Sequence, residues 1–157
     1  MSLHSSSQQE NSSDVEEISE FASRILFGTT LEDKLKSPKS LSDLQPDLSL
    51  KSIPSTPHRS PEFTLVSLGQ NKRHKRELRP TVERLHDEHF RGRILHTFAH
   101  HELISLELMA LALLRFPEAP SAFRRGLAKV IMDEQRHFRL YEARVKKLGL
   151  SLGEEPV

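Results

Sequence analysis

Two stretches in the second half of the chain place apolar residues at alternating steps of four and three. Leu95, Ala99, Glu102, Leu106, Met109 and Leu113 form one stripe; Phe123, Leu127, Val130, Glu134, His137 and Tyr141 form the other. This spacing keeps one face of an α-helix turned toward a partner. Phe116-Pro117-Glu118-Ala119-Pro120 interrupts both patterns and predicts a turn. The pattern therefore predicts an antiparallel helical hairpin. Its first helix is expected from just after Pro80, a residue favoured in a first turn, to about Arg115, with Gly92 as a weak point. The second is expected from Pro120 or Ser121, with Gly126 costing about 1 kcal/mol relative to alanine. Lys146 and Lys147 suit its C-terminal dipole, and Gly149 should end it.

Elsewhere the pattern is weaker. Ile18, Phe21, Ala22, Ile25 and Leu26 recur at helical spacing between Asp14 and Gly28, predicting a short amphipathic helix able to dock on the hairpin. Thr30-Leu31-Glu32-Asp33 resembles a capping box that opens one more turn through Leu35. Five prolines and many serines between Ser37 and Pro61 argue for an extended linker, with a short strand at Glu62 to Val66. The expected organisation is a disordered tail over 1–13, a helical segment over 14–36 and a linker with a basic run over 37–79. The hairpin follows over 80–150, with a loose C-terminus over 151–157.

The hydrophobic stripes contain three residues that do not belong on an apolar seam: Glu102, Glu134 and His137. An unpartnered carboxylate taken out of water costs several kcal/mol, so buried charges are paired or bind metal. Glu102 and Glu134 each lie sixteen residues from Glu118 in the turn. At 1.5 Å per residue both stand roughly 24 Å from it, on axes about 8 to 10 Å apart, close enough to share an ion. His137 follows Glu134 by three residues and projects from the same side. The bland alternative is a metal-free cluster compensated by Arg136, Arg139 or Tyr141.

Composition narrows the chemistry. With no cysteine among 157 residues, disulfides, zinc-thiolate sites and iron-sulfur clusters are excluded, leaving nitrogen and oxygen ligands. The net charge of +1 conceals an asymmetry. Residues 1–70 carry ten acidic and six basic side chains, and 71–157 carry twelve and seventeen. A foldable part of roughly 85 residues covers its apolar surface poorly, so a metal or self-association is a reasonable expectation. The N-terminus lacks a basic region followed by an apolar core, and the run Leu108 to Leu114 is too short to span a bilayer. The expectation is a cytoplasmic protein without a membrane segment.

Other residues compete for attention. His96, His100 and Glu107 share a second stripe of the first helix, a rival metal set that lacks a ligand from the second helix. Glu107 is also a candidate for orienting the Glu102 centre, and Tyr141, one turn beyond His137, for hydrogen-bonding near it. His86 and His89 flank Asp87 and Glu88 and read as a solvated first turn. The run Lys72-Arg73-His74-Lys75-Arg76 suits nucleic acid or phosphate, but has no aromatics for base stacking and fits equally as an anchor to acidic parts of the chain.

Several segments together resemble a known family: His96-Thr97-Phe98-Ala99-His100-His101-Glu102-Leu103, Glu107-Leu108-Met109-Ala110, Arg115-Phe116-Pro117, Ala122-Phe123-Arg124-Arg125-Gly126-Leu127 and Asp133-Glu134-Gln135-Arg136-His137. They are similar to the bacterial ferritin-like family catalogued as domain of unknown function 455, with a looser likeness at Glu20-Phe21-Ala22 and Leu31-Glu32-Asp33-Lys34-Leu35. The resemblance implies an all-α fold: a ferritin-like antiparallel helical hairpin, half of a four-helix bundle. Such bundles hold two metals with one Glu from each of two helices and a Glu-x-x-His pair from each of two others. Glu102 matches the lone Glu, and Glu134 with His137 match the first pair. Family members continue past the stretch Gly153-Glu154-Glu155-Pro156-Val157 into a second helical pair with the remaining ligands.

The resemblance therefore implies half a site, completed by a homodimer or by a second helical-pair chain, or else a truncated fragment that has lost metal binding. It implies iron, or alternatively manganese or zinc, in a carboxylate-bridged centre with oxidoreductase or oxygen-activating chemistry on an unknown small molecule. Glu134 would bridge, Glu102 would bridge or terminate, and His137 would be a terminal ligand. The competing class is a non-enzymatic helical interaction module.

Overall fold

The computed structural model describes residues 15–44, 53–63 and 79–153. A strand β1 (Val15–Glu17) leads into helix α1 (Ile18–Phe27), then α2 (Leu31–Leu35) and β2 (Ser40–Ser42). Single 3₁₀ turns follow at Pro61–Phe63 and Arg84–His86, before two long helices, α3 (Glu88–Arg115) and α4 (Ser121–Lys147). The expected tail over 1–13, the basic run Lys72 to Arg76 and parts of the linker lie outside the described residues.

The helix at Ile18–Phe27 buries Ile18, Phe21, Ala22, Ile25 and Leu26, the five residues of its periodic stripe. Thr30 caps α2: its Oγ1 accepts from the Asp33 amide at 3.1 Å and donates to Asp33 Oδ2 at 2.6 Å. Two differences from the pattern-based reading stand out here. A parallel pair joins β1 to β2, Val15 opposite Ser40 and Glu17 opposite Ser42, so the fold is mostly helical but not purely so. At Pro61–Phe63 the chain makes a 3₁₀ turn that takes in Glu62 and Phe63 of the expected strand, whose remaining residues 64–66 lie outside the described residues.

The first long helix starts at Glu88, not after Pro80. Asp87 stops the preceding turn and caps α3, its Oδ1 accepting from the His89 amide at 2.9 Å. A short acidic side chain that satisfies a free N–H is a stronger start signal than a proline eight residues earlier. His86, Asp87, Glu88 and His89 are all exposed. At the other end α4 stops at Lys147, and Gly149 takes a positive φ of 77°, a conformation that suits a residue without Cβ.

Contacts pair Gly92 with Leu148, Phe98 with Tyr141 and Glu102 with Glu134, so α3 and α4 run antiparallel. Their buried sides meet α1 in one core of Ala99, Leu103, Leu106, Ala110, Ile131 and Phe138 with Ile18, Phe21 and Ile25. The segment after α2 straps across α4. Gln135, fully buried, donates to Lys34 O at 2.7 Å and accepts from Ser37 Oγ at 2.7 Å, while Arg139 donates to Leu35 O. Buried Arg124 reaches Asp43 at 3.0 Å. Ser151 to Gly153 are not loose: the Gly153 amide donates to His96 Nε2 at 3.1 Å, and Leu152 packs on the core.

By length and composition α3 could cross a membrane. In this fold it is the central helix, packed against both α1 and α4, and it carries Glu102 and Glu107.

Candidate metal centre

Each stripe predicted for the hairpin is split by the fold. On α3, Ala99, Leu106 and Leu113 are buried, whereas Leu95, Glu102 and Met109 are half-buried. On α4 the buried side is Arg124, Ala128, Ile131, Gln135, Phe138 and Val145, which leaves Phe123 and Val130 exposed. The acids and the imidazole thus sit on the outer edge of the helix pair, not within a closed seam. Because α1 and the strap occupy the opposite side, the edge with Glu102, Glu134 and His137 is the open one.

On that edge the three predicted residues come together. One ligand atom from each of Glu102, Glu134 and His137 lies within 4.8 Å of the others, the one such group among the described residues. The Glu102 and Glu134 carboxyls face each other across the groove between the helices. Removal from water, reinforced by the neighbouring Glu134, pushes Glu102 up to about 7. The hydrogen bond from Glu102 pulls Glu134 down, with further help from His137. His137 Nδ1 stands 2.9 Å from Glu134 Oε2 and, against a carboxylate, acts as donor.

Arg136 binds Asp133 at 3.0 Å and Arg139 is held by Leu35 O, so the arginine-compensated cluster is not formed. Tyr141 instead meets Phe98, ring centres 5.8 Å apart. Phe98, four residues before Glu102 and 43% exposed, was not singled out by the pattern.

The rival set is not assembled. Glu107 lies about 140° around α3 from Glu102, buried in an ion triad with Lys34 at 3.0 Å and with Arg59. It orients nothing at the Glu102 centre. Lys34 Nζ also donates to Ile25 O at 2.7 Å, and Arg59 Nη1 to Phe63 O at 3.0 Å. Burial pushes Lys34 below its ordinary range, opposed by Glu107. His96 and His100 stack with centroids 4.8 Å apart, but His96 Nε2 is spent on the Gly153 amide. His100 finds no hydrogen-bond partner for either ring nitrogen among the described residues, and burial holds it neutral, down to about 3. Arg59, the partner that claims Glu107, comes from the linker and gave no periodic signal.

Comparisons with curated proteins and with solved structures find no match. Residues 12–157 match the model of the family described as protein of unknown function (DUF455), and the chain belongs to that family.

Proposed function

We propose that the protein binds a divalent transition metal at Glu102, Glu134 and His137 and is a ferritin-like oxidoreductase or oxygen-activating protein. One observation carries this reading: two carboxyls and an imidazole from facing helices meet within 4.8 Å. The donor set fits. Two hard carboxylate oxygens with an imidazole nitrogen suit iron, manganese or zinc, and the absence of cysteine excludes thiolate ligation. Glu102, Glu134 and His137 would hold the ion. When bound, a redox-active ion such as iron supplies electron transfer to a small molecule or dioxygen. Glu102, Glu134 and His137 would orient that ion, and Phe98 and Tyr141, each one turn away from a ligand, pack on each other.

The test is a titration of the purified chain with Mn(II), Zn(II) and anaerobic Fe(II), followed by calorimetry and metal analysis. Saturable binding that is lost in Glu102→Ala and Glu134→Ala supports the reading. Binding unchanged in both variants removes it.

A second reading, a helical interaction module without metal, is favoured by the exposure of Phe116 at 61% and Phe123 at 54% beside the turn. It predicts that Glu134→Ala alters neither metal content nor association with a partner.

A further inference from the structure

We propose that a cleft on the side of α3 away from Glu102 binds a small apolar monocarboxylate, a linear or aromatic acid of about six to eight carbons. This site is independent of the metal-binding reading.

The cleft lies between α1, α3 and the chain at residues 54–57, with a volume of about 180 Å³. Leu26, Ile104, Leu108 and Leu111 line it from the helices, and Pro54 and Pro57 from the segment opposite. That segment is fixed in place. The His58 amide donates to Leu26 O at 3.0 Å, the Ser60 amide donates to Thr29 O at 2.9 Å, and the His58 ring packs edge-on against Phe27. A wall held in this way loses little freedom when a ligand enters. An apolar cavity of about 150 Å³ is already enough for benzene, so the volume sets the size of the occupant.

Charge sets its class. Arg59 and Glu107 line the same cleft, and both belong to the buried triad with Lys34. Two cations share one carboxylate there, all three side chains at most 6% exposed, so the triad carries an excess positive charge away from water. Among the described residues no second carboxylate forms an ion pair with Lys34 or Arg59. Arg59 gives Nε and Nη2 to Glu107 and Nη1 to Phe63 O, which leaves an N–H on each terminal nitrogen. A carboxylate beside Arg59 would supply the missing counter-charge through charge-assisted bonds, while its hydrocarbon covers the leucines. An amine would add to the excess. A phosphate or a sugar would set polar groups against apolar walls without partners.

The metal-free full chain, labelled with ¹⁵N, is titrated with hexanoate and benzoate. Hexanol, hexylamine and acetate serve as the neutral, the cationic and the tail-less probe. The expected result is saturable binding of both acids, with amide shifts confined to residues 55–59 and 104–111, and at least about tenfold tighter than hexanol. Hexylamine and acetate should not saturate. Arg59 is part of the buried triad and its loss endangers the fold, so Leu108, 62% exposed, carries the mutational test. Leu108→Glu and Leu108→Lys remove the same apolar side chain and bring opposite charges; the first should bind hexanoate at least about tenfold more weakly than the second. Equal affinity in the two variants, or hexanol binding as tightly as hexanoate, overturns the anionic occupant. Acetate binding as tightly as hexanoate overturns the apolar one. Shifts centred on Glu102, Glu134 and His137 would put the acid at the other centre and overturn the cleft, as would no binding of either acid.

Discussion

Glu102 and Glu134 face each other within 4.8 Å across the groove of an antiparallel helix pair, each at the middle of its helix. Two carboxyls brought this close cannot both ionise without a cation. The pair therefore responds to pH in a way that neither acid would show alone.

For Glu102 the folded state binds the proton more tightly than the unfolded chain, since burial and Glu134 raise it from 4.5 to about 7. Below about 4.5 both states are protonated and the group contributes no difference. As pH rises toward 7 the unfolded chain releases its proton first, so metal-free stability falls across that window and then levels. Glu134 is shifted the other way, so its contribution is present above its unfolded value and lost as pH falls below it. Thermal melts of the metal-free chain should show the decline between about 4.5 and 7, and Glu102→Gln should flatten it. A variant that keeps the same slope would rule out Glu102 as its source.

Metal affinity should follow the same proton. An ion at Glu102 and Glu134 displaces it, so affinity should climb with pH up to about 7 and level above it, with proton release detected by calorimetry in buffers of different ionisation heat. Loss of a directly bound carboxylate should exceed the ~10–100-fold effect typical of an outer partner, so Glu134→Ala should weaken binding by more than about 100-fold.

Glu107 should behave as a structural acid. Glu107→Ala leaves the Lys34 ammonium and the Arg59 guanidinium buried without their counter-charge. Breaking such a cluster costs about 3–5 kcal/mol. The variant should melt well below the parent chain but retain metal affinity within about twofold at a temperature where both are folded. A selective loss of metal with unchanged melting would reassign Glu107 to the centre.

The reach of the sequence was uneven for physical reasons. Local signals carried well: the stripe of Ile18, Phe21 and Ile25, the Thr30 cap and the stop at Gly149 each depend on residues within one or two turns. The meeting of Glu102, Glu134 and His137 followed from equal distances to a short turn. Periodicity marks a stripe but not which side of it a third element covers, so the acids were placed in a closed seam when they stand at its open edge. Contacts across long separations left no trace in the pattern. Arg59 reaches Glu107, Ser37 reaches Gln135, and β2 pairs with β1, all through an irregular segment without a period.

Gln135 tests whether that irregular segment is a working part of the fold. It is fully buried and fastens the strap through Lys34 O and Ser37 Oγ. Gln135→Ala leaves a buried carbonyl without its donor, at a cost of about 1–3 kcal/mol. Hydrogen exchange should rise first at residues 34–42 and only later in α3 and α4. Uniform exchange across the chain would show that strap and hairpin open as one unit.

Two glycines in the long helices should answer alanine substitution with opposite signs. At Gly126 a Cβ meets nothing within 4 Å, so Gly126→Ala should recover helix propensity, about 1 kcal/mol, in dilute metal-free protein. At Gly92 the same methyl would stand 2.6 Å from Leu150 Cδ1 and 3.4 Å from Leu148 Cβ, where the end of α4 closes over the start of α3. Leu150 is itself buried, so it has little room to retreat. Overpacking of this kind costs about 1–3 kcal/mol and outweighs the propensity gain. Gly92→Ala should therefore melt below the parent chain while Gly126→Ala melts above it; equal gains at both sites would mean that the ends of the hairpin are not in contact.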